Sequence, residues 1–173
     1  MKRSAFFVLA ALALTAAGCG SDNPTNPSAV KPTFTADLKT SNENPPITNS
    51  EAGGSGTATI TFDVTRDASN NITAATATFV VNLTGFPAGT PINIAHIHQA
   101  PVGVNGSVVV STTLAAGEVT LANGGGSFTK AGISITPVDL ANQIINNPSG
   151  FYFNAHSTLN PGGVVRGQLV RVQ

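Results

Sequence analysis

Thr57-Ala58-Thr59-Ile60-Thr61-Phe62-Asp63-Val64 alternates a threonine or aspartate with an apolar residue four times without a break. Side chains on a β-strand point to opposite faces with a period of two, so this run predicts a strand with one buried and one wet face. Its Thr, Ile and Val favour a pleated, half-buried surface. Gly53-Gly54-Ser55-Gly56 precedes the run as a turn, and Asp67-Ala68-Ser69-Asn70-Asn71 follows it as a hairpin loop. Ile72 to Leu83 then returns as a long strand through Ala75, Ala77, Phe79, Val81 and Leu83. On the other side, Phe34, Ala36 and Leu38 alternate with Thr33, Thr35, Asp37 and Lys39.

The same reading extends to the C-terminus. Ile94 to Gln99 and Val108 to Val110 are predicted strands, and Val119 to Leu121 and Ser127 to Lys130 read as short strands across the Gly124-Gly125-Gly126 turn. Phe151 to His156 and Val164 to Val172 flank Asn160-Pro161-Gly162-Gly163, a natural hairpin connection. One segment reads as helical: Thr136 offers a capping hydroxyl, Pro137 suits the first helical position and Asp139 the first turn. Leu140, Ile144 and Ile145 share one face before Asn146-Asn147-Pro148 ends it. Roughly eight or nine short strands with no alternating helices predict an all-β, antiparallel sandwich or flattened barrel with one short helix.

Before Thr33 the composition changes. Lys2 and Arg3 followed by the apolar run Ala5 to Ala17 have the form of an export signal. A run of 13 residues is shorter than the about 20 needed to cross a bilayer, so removal is expected. Ala16-Ala17-Gly18-Cys19 resembles the lipobox of bacterial lipoproteins, although Ala16 stands where leucine is usual. Cys19 is the only cysteine, so no internal disulfide can form, and lipidation gives the thiol a use. The expected division is a signal peptide over 1–18, a flexible tether over 19–32 from lipidated Cys19, and a domain over 33–173. Gly20 after Cys19 resembles the signal for outer-membrane delivery. The expected address is the bacterial cell envelope, with the membrane as a partner through the N-terminal lipid. Without residues 1–18, six basic residues face eight acidic ones, which argues against a nucleic-acid partner.

The chain has three histidines, and they fall in two of the predicted strands. Alternation puts His96 and His98 on one face, with Ala95 and Ile97 on the other. It likewise puts Tyr152, Asn154 and His156 opposite Phe151, Phe153 and Ala155. Two readings follow. One is a hydrogen-bonded structural network that includes Asn154, Arg166 and Gln168 as a polar centre. The other is an open zinc or copper site of His96, His98 and His156. Ser157, beside His156, points to the opposite face and cannot share its proton.

Glu43-Asn44-Pro45-Pro46, Gly56-Thr57-Ala58-Thr59, Ala95-His96-Ile97-His98, Tyr152-Phe153-Asn154-Ala155-His156-Ser157, Asn160-Pro161-Gly162-Gly163 and Arg166-Gly167-Gln168-Leu169 occur in the order seen in the CHRD domain, named after chordin. The resemblance covers about Thr33 to Val172. It implies an immunoglobulin-like sandwich, distantly similar to Cu/Zn superoxide dismutase. Gln99-Ala100 replaces a usual Gly-Pro, and Val164 replaces a common acidic residue, which leaves Glu43 as the nearest candidate to pair with Arg166 by family position. Dismutase chemistry needs more histidines than the chain has. The resulting expectation is a lipid-anchored extracytoplasmic CHRD protein acting as a non-catalytic binding or structural module toward an unidentified protein or glycan. The alternative is metal binding at the three histidines.

Overall fold

The run over residues 57–64 lies within β2 (Ser55–Arg66), and the apolar set Ala58, Ile60 and Phe62 is fully buried while its threonines are not. A computed structural model describes residues 30–173; the export signal, Cys19 and the tether as far as residue 29 lie outside the described residues. β2 pairs along its whole length with β3 (Ile72–Thr84), closed by a loop in which the Asp67 carboxylate accepts from the backbone N–H groups of Ser69 and Asn71. On its other edge β2 pairs with β1 (Thr33–Lys39).

The remaining strands are β4 (Thr90–Gln99), β5 (Ser107–Ser111), β6 (Val119–Leu121), β7 (Gly126–Ser134), β8 (Phe151–Ser157), β9 (Val165–Gln168) and β10 (Val170–Arg171). All pairings are antiparallel, in the order β5-β4-β8-β9-β1-β2-β3-β7, with β10 added to β1 and β6 to β4. β6 also lies against β7, so the sheet curls into a nearly closed, barrel-like fold. Its interior is apolar and aromatic. Phe34 meets Phe62 edge-on at 5.1 Å, and Phe79 meets Phe153 at 6.0 Å between ring centroids.

Three local expectations change. Val119–Leu121 and residues 126–134 do not pair as a hairpin: β6 joins β4 and β7 joins β3, so the glycine turn links strands that lie near each other but belong to opposite ends of the pairing order. Gly124 adopts φ +75° there, and its carbonyl accepts from the Phe86 N–H. The helix α1 (Val138–Asn146) starts one residue later than the capping pattern predicts. Pro137, extended at ψ 163°, is the cap residue, which leaves the Thr136 hydroxyl too far back to serve the first turn. Its apolar face is as expected, with Leu140, Ala141, Ile144 and Ile145 buried. The last predicted strand is divided at Leu169, whose N–H turns to the Phe151 carbonyl before β10 joins β1.

Candidate metal centre

β4 contains the irregularity that sets the site. Its register against β8 shifts between Ile92 and Ile94, so that Ile92 and Ala95 both reach the core despite their odd spacing. From Ala95 onward the parity holds: Ala95 and Ile97 are buried in the core, and His96 and His98 stand on the opposite face. On β8, Phe151, Phe153 and Ala155 enter the core while Tyr152, Asn154 and His156 share the histidine face. The register places Asn154 beside His96 and Tyr152 beside His98. The neighbouring β9 contributes Arg166 opposite Asn154 and Gln168 opposite Tyr152.

The structure brings His96, His98 and His156 together, although 60 residues separate the first from the last. One donor nitrogen from each lies within 4.8 Å of the others. His96 Nδ1 and His156 Nε2 are 3.4 Å apart. Two nitrogens on a tetrahedral zinc, each bonded at 2.0–2.1 Å, are about 3.3 Å apart, so this pair already has the ligand spacing.

Backbone carbonyls orient two of the rings. His98 Nδ1 lies 3.0 Å from the Gly106 carbonyl and His156 Nδ1 lies 2.9 Å from the Pro161 carbonyl. A carbonyl only accepts, so each Nδ1 carries the hydrogen and each Nε2 keeps its lone pair. A ligating histidine needs this arrangement. His156 Nε2 faces His96, and His98 Nε2 is buried with no hydrogen-bond partner among the described residues. Burial, chiefly, holds all three rings below the ordinary imidazole value. For His96, where burial is joined by the charges of the other two rings, the value falls to about 4. At neutral pH the cluster therefore offers uncharged nitrogen donors.

The rest of the expected polar centre divides. Arg166, only 2% exposed, donates to Asn105 Oδ1 at 2.8 Å and to the Val104 carbonyl at 3.1 Å, with its guanidinium 4.2 Å from the centre of the Tyr152 ring. Gln168 serves elsewhere, donating to the carbonyls of Ala100 and Ser149. The expected Arg166–Glu43 pair does not form as a direct contact among the described residues, though the Arg166 charge still acts on Glu43. Glu43 is 7% exposed with Oε1 unpartnered. Burial lifts its carboxyl to about 7, against the lowering effects of Arg166 and the Asn154 amide. Ser157 donates to Glu51 Oε2 at 2.5 Å on the face away from the histidines, joined by Asn160.

Sequence reasoning missed Gly106 and Pro161, which contribute carbonyls, and Val104 and Asn105, which hold Arg166. Gly106 had one legible trace, a glycine ending an irregular loop: a Cβ there would lie 2.0 Å from the Gln99 carbonyl oxygen.

No curated protein and no solved structure matches the chain. A family profile does: the CHRD domain matches residues 34–169, from the second residue of β1 to the residue that divides the last two strands. All the strands that carry the histidines and Arg166 lie inside that span, and the chain belongs to the CHRD domain family.

Proposed function

We propose that this CHRD domain is a zinc- or copper-binding module, carried at the cell envelope by a lipidated Cys19. The observation that carries the metal reading is His98 Nε2, a buried lone pair without a partner among the described residues, in a cluster of three neutral imidazoles. An unsatisfied buried polar atom costs about 1–3 kcal/mol, and a bound cation removes that cost. Imidazole donors suit zinc and copper and are poor ligands for calcium or magnesium.

His98 and His156 would bind through Nε2, and His96 through Nδ1. Without metal, a hydrogen bond across the 3.4 Å contact would be donated by His96 Nδ1 to His156 Nε2; with metal held through Nδ1, His96 would carry its hydrogen on Nε2 instead. Three protein ligands leave a fourth position for water or an exogenous donor. We read the module as one that holds the ion without turning over a substrate, because Tyr152 and Arg166 beside it are bonded to the domain's own loop.

Export and anchoring rest on the residues before the domain: an apolar run behind Lys2 and Arg3, a lone cysteine after Ala-Ala-Gly, and a polar stretch long enough to hold the domain off the membrane. Labelling with a fatty-acid analogue in cells should mark the chain and fail for Cys19→Ser. For the metal, purified full-length chain stripped by chelator and titrated with zinc or copper should bind one equivalent, and His98→Ala should lose at least about 100-fold in affinity. Absence of binding, or equal binding by a folded His98→Ala, overturns the metal reading.

A further inference from the structure

We propose that Arg166 is a positioning residue for His98, acting through Tyr152 and the Val104–Gly106 backbone to keep the imidazole in the form that carries its hydrogen on Nδ1. The functional consequence rests on the metal reading, while the geometry stands without it. Three flat groups are layered on the outer face of the sheet. The Arg166 guanidinium lies 4.2 Å from the Tyr152 ring centre, and the Tyr152 and His98 rings are stacked at 4.8 Å with 5° between their planes. Each layer comes from a different strand: His98 of β4 and Tyr152 of β8 are cross-strand partners, and Arg166 of β9, opposite Asn154, reaches diagonally onto the Tyr152 ring.

The stack fixes the plane of the His98 ring. A hydrogen bond within that plane fixes its tautomer: Nδ1 meets the Gly106 carbonyl at 3.0 Å. That carbonyl belongs to a loop between β4 and β5, so strand pairing does not hold it. Arg166 does, through Val104 on one arm and Asn105 on the other. The Gly106 N–H donates to Tyr152 Oη at 3.1 Å, so the middle layer of the stack also holds the residue that orients the third. Asn105 and Asn44 tie the loop to the chain after β1, donating to the Asn44 and Gly103 carbonyls respectively. One buried guanidinium thus sets both the plane of the imidazole and the acceptor for its hydrogen.

Lysine cannot replace it. An ammonium lacks the planar fork that reaches two acceptors while lying on a ring. A role confined to general stability would loosen all three histidines together. His156 is the internal control, because its Nδ1 is held by Pro161 on a separate loop.

The test uses the full-length chain, stripped of metal, with side-chain nitrogen–proton correlation NMR on wild type, Arg166→Lys and Asn105→Ala, followed by zinc titration of each. In wild type His98 should be wholly in the Nδ1–H form. In both variants it should become a mixture with the Nε2–H form while His156 stays unchanged, and zinc affinity should fall about 10–100-fold, as for loss of a group that orients a ligand. An unchanged His98 tautomer in folded Arg166→Lys, or equal loss of order at His98 and His156, overturns the proposal. If Arg166→Lys does not fold, Asn105→Ala, altered at an exposed residue, decides by the same criteria. If wild type takes neither zinc nor copper, the metal reading fails and the tautomer measurement still decides the role of Arg166.

Discussion

Glu43→Gln should stabilise the domain in alkaline solution and not in acid. Glu43 lies just after the 3₁₀ turn Thr40–Asn42, is buried, and has Oε1 without a partner. Arg166 and the Asn154 amide favour its charged form, but burial outweighs them and lifts its pKa to about 7 from an ordinary 4.5. A carboxyl raised on folding contributes full stability below its unfolded value, and that contribution is lost as the pH rises through the folded value. The window is therefore about pH 4.5 to 7, with stability falling as the pH goes up. At about 1.4 kcal/mol per pH unit, the interval amounts to at most about 3 kcal/mol above pH 8, and relaxation around the charge will reduce it. Glutamine keeps the shape, carries no charge, and brings an N–H donor into a neighbourhood with an orphan acceptor, Asn154 Oδ1. Urea denaturation of both proteins from pH 4.5 to 8.5 should show near-equal stability in acid and a gain for Glu43→Gln of about 1–3 kcal/mol at pH 8.5. A constant difference across that range, or a variant less stable at pH 8.5 than wild type, would refute the reasoning.

Four further outcomes follow from the structure. Three ordinary histidines would each lose about tenfold in neutral form between pH 7.5 and 5.5, or about a thousandfold in zinc affinity together. Because all three pKa values are lowered here, to about 4 for His96, the fall should be much smaller, and a thousandfold loss would show that the rings titrate normally. The same depression makes the metal-free domain lose stability as the pH drops from about 6.5 toward 4, the opposite sign to Glu43. Ser157→Ala removes a donor to buried Glu51 and an acceptor for the Asn160 N–H, so unfolding free energy should drop by about 1–3 kcal/mol, whereas a drop below about 0.5 kcal/mol in urea denaturation would contradict it. Gly106→Ala puts a methyl 2.0 Å from the Gln99 carbonyl oxygen, so the loop must move and His98 must lose its acceptor; zinc titration should show weakened binding, and wild-type affinity would mean the Gly106 carbonyl is dispensable.

The parts of the fold legible in the sequence are those where burial and polarity alternate together. In β2, and in β3 from Ala75 onward, one face meets the core and the other is mostly threonine, asparagine and aspartate, with Val80 the exception, so period two could be read directly. β8 differs: all seven of its residues are buried, because loops from residues 101–106 and 158–163 cover its polar face. Its faces were still distinguishable because Tyr152, Asn154 and His156 differ chemically from Phe151, Phe153 and Ala155. The shift in β4 was hidden, since Ile92 and Ile94 are both apolar and nothing in their identity says that the first is buried and the second 37% exposed. The β6–β7 expectation failed for a related reason. A glycine turn between two short apolar runs indicates that the chain reverses, and partner choice depends on strands remote in sequence: β4 takes β6 and β3 takes β7.

Within the site the boundary between legible and hidden runs between side chains and backbone. The three imidazoles could be found because they are scarce and because strand parity puts each on a known face. What makes two of them ligands in form is the pair of carbonyls from Gly106 and Pro161, and every residue of the chain has a carbonyl. No residue type marks those two as acceptors. Their placement depends on loops held from outside, in one case by Arg166, whose own sequence neighbourhood reads as an ordinary strand end. A histidine cluster read from sequence therefore identifies donors without their tautomers, and the tautomers decide whether three close imidazoles bond to one another or converge their lone pairs on an ion. Here the two carbonyls withdraw Nδ1 of His98 and of His156 from that choice, which leaves His96 as the ring whose hydrogen decides between a bond to His156 and a free lone pair for an ion.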